Sequence, residues 1–332
     1  MFHSRREFLT GTAAIIGAAP LTMAASTADT SSDIVSLFEP LPGTKSLKIY
    51  APATKGKAKF LLEFNSSAFL FVGSVIKTFV LCEALRQADS PDIVRTISQR
   101  QLPLNESIWN IDSPILNPPN LAGKISERTA LEAMIMHSDN TGTDMSFKVV
   151  GPDNVRKFIA STGLNNTLVP DSTRVFFGYL VGAQNYQHFT WDDVQKAIRD
   201  HDPIVNSPLN KVETLASSAD DLVSYYSRAL QGAFFKHRQT LTEFRRILSL
   251  GDAIWVVPLP LGVSAFVKGG SIDVPHFHCV SVSGAMFFSD RWVYFAATIN
   301  WYAPGETDPK TAAEFAAALA KVLAEVKDLL ST

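Results

Sequence analysis

The chain has 332 residues, of which 46% are hydrophobic and 19% charged, and it carries a formal net charge of −2 at pH 7. That balance supports a large buried core and excludes a disordered chain, a polybasic nucleic-acid face and a charged interaction tail. What remains is chemistry on a small molecule or peptide, in a chain long enough for two structural units.

Residues 1–26 read as an address. Ser4-Arg5-Arg6-Glu7-Phe8-Leu9 is a twin-arginine pattern, the apolar run Leu9 to Met23 follows, and Ala24 and Ala25 are small enough for cleavage. The run is too short to span a bilayer, and Gly11, Gly17 and Pro20 interrupt it. The expectation is export to the periplasm or cell exterior, with no membrane anchor once the signal is removed.

Behind a small polar stretch at 27–32, a short helix is expected from Ser32 to Phe38. LKIYAPAT at 47–54 and KFLLEFNSSAFLF at 59–71 read as strands, with Lys55-Gly56-Lys57 turning between them. The period then changes. Val75, Ile76, Phe79, Val80, Ala84 and Leu85 recur at helical spacing and predict a helix from Ser74 to Gln87. From 91 to 250 the pattern is mostly helical, with Ser126, Asp153 and Ser218 as N-caps and an ambiguous segment at 165–214. Strand signals return in AIWVVPLPLGV, SAFVKGG, FHCVSVSGAMFF and WVYFAATINW, with a hairpin turn at Ser289-Asp290-Arg291. Asp308-Pro309 opens an amphipathic helix from Lys310 to Leu330.

Strands at both ends with helices between them predict an α/β fold. An antiparallel sheet domain, residues 33–72 and 253–332, is flanked by terminal helices and carries an inserted all-helical domain at 73–252. Cys82 lies in an apolar run and Cys279 in a strand-like one, which favours two buried free thiols over a disulfide.

FVGSVIKTF, residues 71–79, sets a hydroxyl and an amine in an apolar helix start. Positions i and i+3 share a helix face, so Ser74 and Lys77 present Oγ and Nζ to one another. A serine hydroxyl is a weak nucleophile, and an amine that is neutral in a desolvated pocket takes up its proton. The helix N-terminus also aims backbone N–H groups at an anion formed beside Ser74. Alone the pair equally fits a capping serine and a snorkelling lysine. Ser138-Asp139-Asn140 after a later helix, and Lys268-Gly269-Gly270 in a strand-like run, add two further elements in defined contexts.

SVIK, SDN and KGG resemble the S-x-x-K, S-D-N and K-T-G signatures of the serine β-lactamases and penicillin-binding proteins. IDSPI at 111–115 and ALEAMIMHSDNTGTDMSFKVVGP at 130–152 resemble class A β-lactamases in particular. The resemblance runs from about Leu47 to Leu330 and implies the β-lactamase/transpeptidase-like fold. It implies Ser74 as the acylated nucleophile, Lys77 as its proton acceptor and Ser138 as the donor to the leaving nitrogen. Asn140 would hold the substrate's amide side chain, with Gly270 beside it, and Lys268 would offer positive potential to a substrate carboxylate. The oxyanion hole would be the N–H groups of Ser74 and Ser271. Asp139 would hold its loop, and His137 is read as a second-layer or solvent-facing side chain. The implied partner is a small β-lactam or acyl-peptide substrate of a monomeric enzyme without a cofactor. His276 and His278 share a strand face while Cys279 points away, so no metal is expected there.

Two departures stand out. Class A enzymes carry a water-activating glutamate in a W-E-P-E-L-N-like omega loop, whereas LVPDSTRVFFGYLVG stands here and no glutamate occurs between Asn140 and Glu213. Asp171 is the nearest acid and the candidate deacylation base. The lengthened segment also carries Phe176, Phe177, Tyr179, Tyr186, Phe189 and Trp191, which suit either a pocket wall or a cover for the helical domain. The second departure is Gly269, where the signature has a hydroxyl. The leading expectation is a periplasmic serine hydrolase opening β-lactams. The alternatives are a D-alanyl peptidase or esterase, and a single-turnover penicillin-binding module.

Overall fold

The computed structural model describes residues 27–331, so the twin-arginine segment at 1–26 lies outside the described residues. From the start run helix α1 (Thr27–Ser36) and strands β1 (Thr44–Ala51), β2 (Phe60–Phe64) and β3 (Leu70–Phe71). A 3-10 turn at Gly73–Ile76 leads into α2 (Lys77–Gln87), α3 (Ile93–Gln99), β4 (Gln101–Leu104) and β5 (Gly123–Ser126). Next come α4 (Glu127–Met136), α5 (Asn140–Val150), α6 (Pro152–Ser161), α7 (Thr173–Leu180) and α8 (Trp191–Asp200). The chain continues through β6 (Ala216–Ser217), α9 (Ala219–Ala229), α10 (Arg238–Leu248) and another 3-10 turn at Asp252–Trp255. It closes with β7 (Ser264–Val274), β8 (Phe277–Phe288), β9 (Arg291–Trp301) and α11 (Pro309–Ser331).

The main sheet draws strands from both ends of the chain, in the order β2-β1-β9-β8-β7, with every neighbour antiparallel. Its hairpins follow turn chemistry. Ser289 and Asp290 both take positive φ, 47° and 56°, as a two-residue turn matched to strand twist requires. Side-chain alternation then divides the core. Val293, Phe295, Ala297 and Ile299 of β9 face α1 and α11, where Phe38 meets Phe315 edge-on at 5.8 Å. Tyr294 and Ala296 face the other way, into the cluster of Phe79, Val80, Tyr225 and Tyr226 from α2 and α9. Each fully buried side chain of this size contributes about 1.5–3 kcal/mol, so β9, apolar on both faces, fixes the middle of the molecule.

Three local expectations are corrected. AIWVVPLPLGV is no strand: a 3-10 turn at Asp252–Trp255 gives way to a loop in which Leu261 is 93% exposed. Pro258 and Pro260 lack the N–H that a ladder needs. Asp153 is not a cap, because Pro152 occupies the first helical position of α6 behind Gly151. The helix expected from Ser74 begins as a 3-10 turn and becomes α-helical only at Lys77. Ser126 and Ser218 do cap, accepting from Thr129 N and Asp221 N.

The ambiguous segment holds α7 and α8. Phe177, Phe189, Val194 and Ala197 bury one another there, and Trp109 meets Trp191 at 6.1 Å. Its rings form a small core of their own, while Phe176 stacks on Phe71 at 5.7 Å.

Candidate active site

Ser74 sits half-buried in the 3-10 turn, and Lys77 opens α2 with its side chain fully buried. The Lys77 ammonium donates to Ser138 O at 2.6 Å, Asn140 Oδ1 at 2.7 Å and Ser138 Oγ at 3.2 Å. The first two sequence elements are thereby joined at one point. Ser138 takes φ 55°, a left-handed conformation that costs a non-glycine residue energy and persists where surroundings over-determine it. Asp139 supplies that surrounding. Its Oδ1 caps α5 by accepting from Gly142 N at 2.8 Å, and its Oδ2 accepts from Ile115 N and Leu116 N at 3.1 and 2.9 Å.

The third element arrives as backbone. A Cβ on Gly270 would lie 2.1 Å from Val72 O and 2.8 Å from Ser74 N, so only glycine lets β7 come this close to the turn that carries Ser74. Gly73, at φ +55°, would place a Cβ 2.9 Å from Ser271 N. Gly269 N donates to Asp252 Oδ1 at 3.1 Å, off the edge of β7 opposite to β8. N–H directions alternate along a strand, so Ser271 N points off that same edge.

Two anchors hold the turn that carries Ser74. Phe71 N donates to Asn300 Oδ1 at 2.9 Å, and Asn300 Nδ2 returns a bond to Phe71 O at 2.8 Å. Leu215 O accepts from Val72 N at 2.8 Å and Gly73 N at 3.2 Å. Cys279 also donates to Phe71 O, and both cysteines are free and buried, with burial pushing their thiols up.

Other site expectations meet different surroundings. Lys268 is fully buried, and its ammonium donates to Asp252 Oδ1 and Oδ2 at 2.9 and 3.0 Å and to Gly269 O at 2.8 Å. The positive potential expected of it is met by a carboxylate of the protein itself. Asp171, the candidate deacylation base, is ion-paired with Arg156 through Oδ1, while its N–H donates to Glu213 Oε2 at 3.0 Å. Burial pushes the Glu213 carboxyl up, against that N–H bond. With the Leu168–Ala216 bridge beside them, these groups clasp the two ends of the long segment. His278 bonds Asp273 at 2.8 Å and stacks on Trp301, and among the described residues no group of three or more His, Cys, Asp or Glu is placed to hold a metal.

Sequence reasoning missed Asp144. Its buried carboxylate accepts from Thr173 N, Thr173 Oγ1, Arg174 N and Asn110 Nδ2 at 2.7 to 3.1 Å, at the N-terminus of α7. Burial pushes this carboxyl up against those bonds. It lies one helical turn after Asn140, so its role in fixing the long segment beside the site was written in the spacing.

Comparison with known proteins gives the family and the fold. Residues 31–249 match the model of the β-lactamase enzyme family. The fold is similar to a β-lactamase from Chitinophaga pinensis, with TM-score 0.68 and 14% identity over 91% of this chain and 99% of that one. It is similar to a class A β-lactamase representative from Bacteroides cellulosilyticus, with TM-score 0.67 and 19% identity over 92% and 98%. A mutant of PBP-A, solved as an acyl-enzyme complex with penicillin G, gives TM-score 0.65 and 16% identity over 92% and 98%. At such identities the likeness is one of fold. No curated protein matches the sequence.

Proposed function

The chain belongs to the β-lactamase enzyme family, and we propose that it is a periplasmic serine hydrolase that opens β-lactams, cyclic amides, through a serine acyl-enzyme with slow deacylation. The observation that carries this reading is the Lys77 ammonium bonded at once to Ser138 and Asn140, with the β7 backbone pressed against Ser74. Lys77 in its neutral form takes the Ser74 proton while Oγ bonds to the amide carbon. The carbonyl oxygen gains the electron pair and is held by Ser74 N and Ser271 N, a preorganised donor pair of the kind that contributes about 3–4 kcal/mol per donor. As the C–N bond breaks, the nitrogen takes a proton from Ser138, which Lys77 replenishes along their 3.2 Å contact. Water then hydrolyses the ester. With Asp171 bonded to Arg156, that last step is the slow one. The acyl-enzyme of the PBP-A mutant with penicillin G is the precedent for the intermediate in this fold.

A second reading, acyl transfer to a different amide or ester, is favoured by one observation, the pairing of Lys268 with Asp252. Intact mass of the mature protein after exposure to a penicillin, beside turnover of a chromogenic cephalosporin, tests both. A persistent adduct that vanishes in Ser74→Ala, with slow turnover, is the expected result. Absence of both adduct and turnover sinks the β-lactam reading in favour of another acyl group. Export rests on the twin-arginine pattern, and replacing Arg5 and Arg6 by lysine should retain the protein in the cytoplasm.

A further inference from the structure

A cavity of about 510 Å³ opens between the last turns of α2, α6 and α9, within the range of roughly 300–1,000 Å³ that holds small molecules. Its lining includes Arg86, Lys157 and Arg228 and no acid. Arg86 lies nine residues beyond Lys77 on α2, about 14 Å along a helix, so this cavity is separate from the site at Ser74. Two rings join the cations. Phe158 meets Phe234 edge-on at 5.1 Å, and the guanidinium carbons of Arg86 and Arg228 lie 5.6 and 5.2 Å from the centres of Phe158 and Phe234.

The three cations are met differently. Glu83, itself 1% exposed, binds Arg86 through both carboxylate oxygens. Lys157 is exposed, and among the described residues neither it nor Arg228 forms an ion pair. Arg228 is partly buried, donates from Nη2 to Thr162 O at 2.8 Å, and keeps its Nε buried without an acceptor. A guanidinium drawn out of water normally meets a carboxylate, and this one meets a ring and a carbonyl. Three cations against the single acid Glu83 leave an excess of two positive charges. The Ser161 and Thr162 hydroxyls donate to Phe158 O and Ile159 O inside α6, so attraction for an anion comes from the cations.

We propose that this cavity binds a small aromatic carboxylate, whose ring packs against Phe158 and Phe234 while its anion pairs with Arg228 and Lys157. The carboxylate supplies the counter-charge that the chain withholds from Arg228. An uncharged ring forgoes the cations, and a bare anion forgoes the rings. The site is independent of the acyl-transfer reading, and its test requires no turnover.

The probe is 2-naphthoate, titrated into the isotope-labelled protein. It should shift the amide resonances of residues 158–162 and 228–234 saturably, and high salt should weaken it. Neutral 2-naphthalenemethanol and inorganic phosphate should each bind at least severalfold more weakly. Lys157→Gln, at an exposed position, should weaken naphthoate about threefold, as for loss of an exposed ion pair. Arg228→Gln should weaken it about tenfold. Equal binding of the alcohol or of phosphate overturns the proposal, as does naphthoate binding that neither substitution weakens. Shifts that do not saturate, or that fall only at 73–75 and 269–271, overturn it as well. If Arg228→Gln fails to fold, Lys157→Gln and the ligand series still decide.

Discussion

Lys77 and Lys268 are both fully buried, yet their surroundings differ in kind. Lys77 donates to neutral oxygens, the Ser138 carbonyl and hydroxyl and the Asn140 amide, whereas Lys268 grips both oxygens of the Asp252 carboxylate. A hydroxyl is satisfied by an amine in either protonation state, since it can donate to the free base as readily as it accepts from the ammonium. A carboxylate favours the ammonium alone. The contrast teaches that burial by itself does not make a lysine a base. The partner decides: the surroundings of Lys77 suit the proton exchange proposed for it, and Lys268 holds a strand to a turn.

The comparison breaks first at Lys77. Lys77→Ala should lower the acylation rate about a thousandfold, as expected for loss of a positioned proton acceptor, and an unchanged rate by intact-mass time course would remove Lys77 from the chemistry. Lys268→Met leaves the Asp252 carboxylate without its cation. It should cost about 2–3 kcal/mol of stability, less than for a wholly buried acid because Asp252 keeps some water contact, and thermal denaturation measures it. A variant that melts like the wild type but binds substrate poorly would make Lys268 a binding group instead.

The third prediction concerns pH. Burial raises the Glu213 carboxyl above its ordinary value of 4.5, so its contribution to stability is fully present below 4.5 and is lost as pH rises through the raised folded value. Glu213→Gln should therefore melt like the wild type at pH 4 and a few degrees higher at pH 7, by scanning calorimetry. Asp171→Asn should show the smallest effect. Its pair with Arg156 is more than a third exposed on both sides, so the loss should stay within about 1 kcal/mol and leave the adduct lifetime unchanged. A lengthened lifetime would return Asp171 to the role of water activator.

Much of the Lys77 side was legible because its information is local. Ser74 and Lys77 are three apart on one helix start, Ser138-Asp139-Asn140 is contiguous, and the cap geometry of Asp139 follows from its place before α5. The sheet was legible for the same reason, since alternation in β8 and β9 and the Ser289-Asp290 turn speak within a dozen residues. Asp252 was not. Its bond to Lys268 crosses a stretch whose apolar residues mimic a strand, and only the missing N–H groups of Pro258 and Pro260 betray the loop. The partner of Asp171 was not legible, because nothing near it in sequence announces Arg156, on a helix that precedes it. The long segment stayed ambiguous because Phe177, Phe189, Val194 and Ala197 pack mainly on each other, which leaves no single period to detect.

The two-way bond between Asn300 and the backbone of Phe71 has a consequence for motion. It mimics a rung of the sheet, so the peptide leading into Ser74 travels with β9, and β7 travels in the same layer. If the helices breathe away from the sheet, Ser74 and the Ser271 amide shift as one body while Ser138 and Asn140 recede with α5. Ser74 and Ser271 thus share a reference frame, and under the proposed reaction Ser138 and Asn140 are the groups whose alignment to it depends on the helices.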